Sequence, residues 1–116
     1  TVTIEANLAN VTATATTVGA AQTLAVTGDE DVTLGTVTAG SLNAAASTGI
    51  ITATSLTSST TMTTGSGNDI MVANGAAVHT FSTGGGNDQI TITNSNATST
   101  FDGGIGNDTF IANAAT

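Results

Sequence analysis

The chain has 116 residues, enough for one domain, and is 39% hydrophobic but only 3% aromatic, which predicts a thin, two-layer architecture rather than a thick globular core. Eight acidic side chains face no Lys or Arg, a formal charge of −8. That balance excludes nucleic acid and anionic membranes as partners, because both are bound by Lys and Arg displacing counterions, and it leaves a cationic ligand.

Cys is absent, so disulfides and thiolate metal sites are excluded and an extracellular setting is compatible. No apolar run approaches the roughly 18 residues that span a bilayer, which argues against membrane insertion. No secretory signal is visible at Thr1, so an export signal is expected to have been removed or to lie elsewhere. The ending at residues 111–116 stops in mid-pattern, as expected of a repeat unit or a processed product. Pro is absent and β-branched residues abound, which favours strands over helices.

In chain order, residues 1–23 alternate as strands do, with Val2, Ile4, Ala6 and Leu8 on one face, but they fit no later register and are left unassigned as a cap or pairing strand. Residues 24–116 carry a period. Two apolar ladders run through it, one of Val32, Ile51, Met71, Ile90 and Phe110, the other of Leu24, Leu42, Met62, Phe81 and Phe101. A third register, Leu34, Ala53, Ala73, Ile92 and Ala112, is apolar and mostly small.

Steps of about 19 to 20 residues predict an all-β fold, a parallel β-solenoid or β-roll with two short strands per turn, five visible turns, and tight loops at two opposite edges. Asn74, Asn94 and Asn113 recur near one edge and suggest a structural amide ladder.

The motif with most chemical content fills the other edge: Gly65-Ser66-Gly67-Asn68-Asp69, Gly84-Gly85-Gly86-Asn87-Asp88 and Gly104-Ile105-Gly106-Asn107-Asp108. Glycines at alternate positions permit left-handed backbone that turns carbonyls inward, and each Asp adds formal charge. Ca²⁺ takes about six to eight oxygens at roughly 2.3–2.6 Å, so two stacked loops are needed to close one shell.

Residues 64–72, 83–91 and 103–111 resemble the nonapeptide Gly-Gly-x-Gly-x-Asp-x-apolar-x of the calcium-binding RTX repeat proteins. The resemblance implies metal ligation by Asp69, Asp88 and Asp108, with carbonyls around Gly65, Gly67, Gly84, Gly86, Gly104 and Gly106. Thr64 and Thr83 replace the leading Gly, so only the loop at 103–108 is complete. RTX turns carry the motif at both edges, whereas residues 73–78 and 93–98 hold no acid, so calcium is expected along one edge only.

Residues 28–31 align with 67–70, which makes Asp29, Glu30 and Asp31 an irregular candidate site, and Asp102 is a candidate to complete a terminal one. Two well-formed sites are expected, one between Asp69 and Asp88 and one between Asp88 and Asp108. His79, the only imidazole, is expected as a solvated strand residue, and no catalytic constellation is present, so the chain is not expected to be an enzyme.

Within the RTX group, the Thr/Ala-rich, Lys-free style is similar to surface-layer proteins of the Caulobacter kind, which are exported without an N-terminal signal peptide. That resemblance implies an extracellular or cell-surface protein of bacteria that self-assembles through calcium. A homopolymer is the expected assembly, with a cell-surface glycan as a second candidate partner. The alternatives are a calcium-folded adhesin stalk and the non-catalytic secretion domain of an exported hydrolase.

Overall fold

The computed structural model describes residues 1–19, 21–56, 60–94 and 96–113; the remainder of the ranges assigned above, including residues 114–116, lies outside the described residues. Twelve strands are described and no helix. In chain order they are β1 (Val2–Ala6), β2 (Val11–Thr17), β3 (Thr23–Gly28), β4 (Val32–Thr38), β5 (Ser41–Ser47), β6 (Ile51–Leu56), β7 (Thr60–Thr63), β8 (Ile70–Asn74), β9 (His79–Ser82), β10 (Gln89–Asn94), β11 (Thr100–Asp102) and β12 (Thr109–Ala112).

The odd-numbered strands form one six-stranded parallel sheet and the even-numbered strands the other, so the chain changes sheet at every loop and climbs one rung every two strands. This is a β-solenoid. β1 and β2, the segment that fitted no period, pair in parallel with β3 and β4 and supply its first rung. The molecule measures 19 Å along its shortest axis, consistent with two sheets about 10 Å apart and the side chains outside them.

Alternation decides which residues enter the gap between the sheets. Leu24, Leu42, Met62 and Phe81 are all buried and stack through the register Leu24↔Leu42, Leu42↔Met62 and Met62↔Phe81. Phe101 continues the column, its ring 5.2 Å from that of Phe81 in an edge-on arrangement. From the other sheet Val32, Leu34, Ile51, Ala53, Met71 and Ile90 close the core. The outward positions hold mainly Thr, Ser and Asn, and Thr23, Ser41, Thr61, Thr80 and Thr100 stand in one row across the first sheet.

The even-strand ladders depart from the expected register between β6 and β8, and slip by one more residue between Ile92 and Asn94. Val32 lies beside Ile51, and Met71, Ile90 and Phe110 follow in order, but Met71 lies beside Ala53 rather than Ile51, and Ala73 beside Leu56 rather than Ala53. The step between β6 and β8 is therefore 18 residues at Ala53, and 17 beyond an irregularity between Ala53 and Leu56, where a 20-residue step was expected. The two-residue slip at Ala53 keeps side chains on their own face of the pleat, and the irregularity after it turns Leu56 inward as well, so the core tolerates both.

Candidate metal centre

The odd strands β7, β9 and β11 run out of the core into loops at residues 64–69, 83–88 and 103–108, which return as β8, β10 and β12. Stacked rungs thus place the three motifs one above another. Backbone bonds tie them: Gly85 N–H donates to Gly65 O (2.9 Å), Ile105 N–H to Gly84 O (2.8 Å) and Gly86 N–H to Ile105 O (2.9 Å).

Gly84 and Gly86 have φ of 81° and 124°, and Gly104 and Gly106 have 77° and 145°. Gly65 and Gly67 are not among the left-handed glycines, contrary to the expectation for alternate glycines, so the first loop departs in backbone from the other two. Its partner below is different too: Gly67 packs on Gly49 and Ile50, in a turn without the motif.

Three carboxylates form a column down this edge. Each lends one oxygen to the rung before it. Ile51 N–H donates to Asp69 Oδ1 (2.8 Å), Asp69 N–H to Asp88 Oδ1 (2.8 Å) and Asp88 N–H to Asp108 Oδ1 (3.0 Å). Asp69 and Asp88 are 0% and 2% exposed, and the second oxygen of each, Oδ2, is buried without a hydrogen-bond partner.

Thr64 and Thr83, in the position of the leading Gly, are also buried because they lie two residues beyond the inward Met62 and Phe81. Their hydroxyls are close enough to moderate the carboxylates, yet each directs its one proton to a carbonyl of the next rung: Thr64 to Thr83 O (2.9 Å), and Thr83 to Gly103 O (3.1 Å). The Oδ2 atoms therefore keep no donor. At Gly103 the absence of Cβ is used directly, since the Asp108 carboxylate occupies the space a Cβ would take.

Burial is the main cause that raises the Asp69 carboxyl to about 6; Thr64 and the Ile51 N–H oppose it, and the charge of Asp88 adds to it. Asp88 is raised as well, again first by burial, with the Asp69 N–H and Thr83 opposing and the charge of Asp108 adding. Buried anions with free lone pairs, stacked in a chain with no Lys or Arg, want a cation. Among the described residues no three His, Cys, Asp or Glu side chains converge on one point, so backbone carbonyls would have to complete a shell.

The donor set fits calcium on these grounds: hard oxygens only, two of them orphaned and buried, flanked by two loops built on left-handed glycines. Asp69, Asp88 and Asp108 would hold it, with carbonyls of the loops at 83–88 and 103–108 and of the first loop.

The remaining candidates lie elsewhere. Asp102 is exposed, and its Oδ1 accepts the N–H of Gly104 (3.0 Å) in its own loop. Asp29 is exposed. Asp31 does not align with Ile70, as the sequence alignment had it. It occupies the column of the motif asparagines: Asp31 N–H donates to Asn10 Oδ1 (3.2 Å) and Ile50 N–H to Asp31 Oδ1 (2.8 Å), just as Asn87 N–H donates to Asn68 Oδ1 (2.8 Å) and Asn107 N–H to Asn87 Oδ1 (2.9 Å).

This second side-chain ladder was missed in the sequence, although the Asn before each Asp signalled it. Asn74 and Asn94, proposed as a ladder, pair in register and are exposed. His79 is fully buried and not solvated; its position two residues before Phe81 on the same face is the signal that assigns it inward.

Comparison of the chain with family models, with curated proteins and with solved structures returns no match. Among the described residues no helix is long and apolar enough to cross a membrane.

Proposed function

We propose that the chain is a secreted calcium-binding structural protein of the RTX repeat type that self-assembles into a bacterial surface layer or an extracellular filament. One observation carries the calcium part: Asp69 Oδ2 and Asp88 Oδ2 are buried without a donor in a chain that has no cationic side chain to pair with them. Bound calcium would supply the missing positive charge and draw successive loops together. An ion bound only by the native state stabilises it by RT ln(1 + [L]/Kd), about 2.7 kcal/mol per site at a hundredfold excess.

Assembly is supported by the outer surface. The row Thr23, Ser41, Thr61, Thr80 and Thr100 is uncharged and regular, and no Lys or Arg guards any strand edge against pairing with a second copy. The same calcium column would serve an adhesin stalk or a secretion domain equally well, and no catalytic role is proposed.

Sedimentation velocity in chelator and then in millimolar calcium tests both parts. Compaction with growth to large species is the expected result. Compaction to a lasting monomer would shift the reading to a stalk or secretion module, and an unchanged profile would remove calcium.

A further inference from the structure

His79 opens β9 at the edge opposite the calcium loops, and it is the single imidazole of the chain. It is fully buried, with its ring 5.6 Å from the ring of Phe81 and tilted by 56°. Neither Nδ1 nor Nε2 has a hydrogen-bond partner. Backbone contacts hold the residue between rungs: Thr60 lies beside it in register, and His79 N–H donates to Ser99 Oγ (3.0 Å).

A neutral ring fits this site, whereas an imidazolium would bring a second N–H donor and a charge into a fully buried place, where a backbone group of Gly75 offsets the cost only in part. No titratable side chain stands on β7, β8, β10 or β12, nor in residues 75–78 or 96–99. β11 carries one, Asp102, at the far end of its strand, exposed and engaged with Gly104 N–H. Asp69, Asp88 and Asp108 belong to the opposite edge of the rungs.

We propose that His79 is a proton-operated latch: uptake of one proton expels its ring from the interior and opens the rungs from β9 onward, which carry the two left-handed loops. Each rung of a solenoid is held by its neighbours alone, so a charge expelled from β9 releases β11 from the sheet at the same time. The latch rests on the burial of His79 and not on calcium binding, although any ion held by those loops would be released with them.

Burial lowers the proton affinity of His79 below its ordinary value of 6.5, with a backbone group of Gly75 opposing in part. The unfolded ring binds its proton near that ordinary value and the native ring only at lower pH. Its contribution is therefore fully present above about pH 6.5 and is lost as the pH falls through the window beneath, the folding equilibrium constant dropping up to about tenfold per pH unit for one proton.

Because the chain has one imidazole, its ring signals in a carbon–proton NMR spectrum are unambiguous. The wild-type chain is titrated from about pH 8 to 4, in calcium and in chelator, while backbone amide signals of β9 to β12 are followed. The expected result is a ring that stays neutral below its ordinary range and then changes together with the loss of those amide signals. His79→Leu is expected to keep them at the pH where the wild type loses them.

A ring that titrates at its ordinary value, with the fold retained or lost, overturns the latch. So does a His79→Leu chain that opens at the wild-type pH. Should that variant fail to fold, the wild-type ring titration decides alone. Loss of calcium binding without any change in the ring titration would count against the proposed calcium site and leave the latch standing.

Discussion

The carboxylate of Asp88 divides its two oxygens: Oδ1 accepts the N–H of Asp69 at 2.8 Å, and Oδ2, equally enclosed, meets no donor. Half of the group is structural and half is left for a cation, so Asp88→Asn should have opposite effects in the two conditions. An amide keeps the Oδ1 acceptor and removes the buried charge. In chelator the variant is expected to be more stable than wild type by about 1 kcal/mol, the scale of an unsatisfied buried group. In calcium it should be less stable and bind the ion more weakly. Asp102→Ala, which alters an exposed carboxylate, should leave calcium affinity near wild type; equal losses in the two variants would contradict the column. Thermal melts and calcium titrations check both.

Asp69 gives the metal-free chain a pH dependence of defined sign. Its carboxyl is raised from 3.8 to about 6, so between those values the native state holds a proton that the unfolded chain releases. Stability therefore falls as pH rises through that window, and the penalty is complete above about pH 6. Asp69→Asn has no such proton. In chelator its advantage over wild type should be greatest at pH 7 and shrink towards pH 4. Taking the difference between the two chains cancels the contribution of His79, whose sign is opposite. Urea midpoints across this range measure it, and a difference independent of pH would show that Asp69 is not buried as described.

Loop glycines are not interchangeable. Gly86 has φ of 124°, and an added Cβ would collide with Gly67 O. Gly85, one residue before, has only Ile105 O at 3.9 Å from the same added atom. Gly86→Ala is expected to cost at least about 1–3 kcal/mol from backbone strain and the displaced carbonyl, with loss of calcium binding, whereas Gly85→Ala should be nearly silent. Equal effects of the two substitutions in calcium-dependent melts would argue against the left-handed loop.

The periodic part of this fold was legible because inward residues in a solenoid stack on their counterparts: the column Leu24, Leu42, Met62, Phe81 and Phe101 runs in the structure as the sequence spaced it. Spacing alone misjudged the step from Ile51. There the turn shortens to 18 residues, and a 20-residue step lands on Met71 with an equally apolar match two places away.

Alternation is blind to a shift of two, which is why the pattern gave no warning. The same shift moved Asp31 from its expected place beside Ile70 into the asparagine column. The candidate site was legible in its three Asp residues. It was not legible in loop conformation, because Gly65 and Gly67 share the Thr, Asn and Asp around Gly84 and Gly86, with Ser66 in place of Gly85, but stack on a turn that lacks the motif. His79 was misplaced because polarity was weighed above its phase with Phe81.

Phe81 offers the sharpest test of how the rungs depend on one another. It is the largest fully buried side chain, beside Met62 on one side, edge-on to Phe101 on the other, and in ring contact with His79. Phe81→Ala should cost about 3–5 kcal/mol through the lost transfer energy and the cavity left behind. Phe110 belongs to the last rung and is 50% exposed, and its replacement by Ala should cost far less. Because rungs are coupled only to their neighbours, Phe81→Ala should open β9 and β11 and release the loops at 83–88 and 103–108, while β1 to β6 retain their protection. Hydrogen exchange resolved by rung reads this directly. Uniform loss of protection along the whole chain would mean that the solenoid unfolds as one cooperative unit.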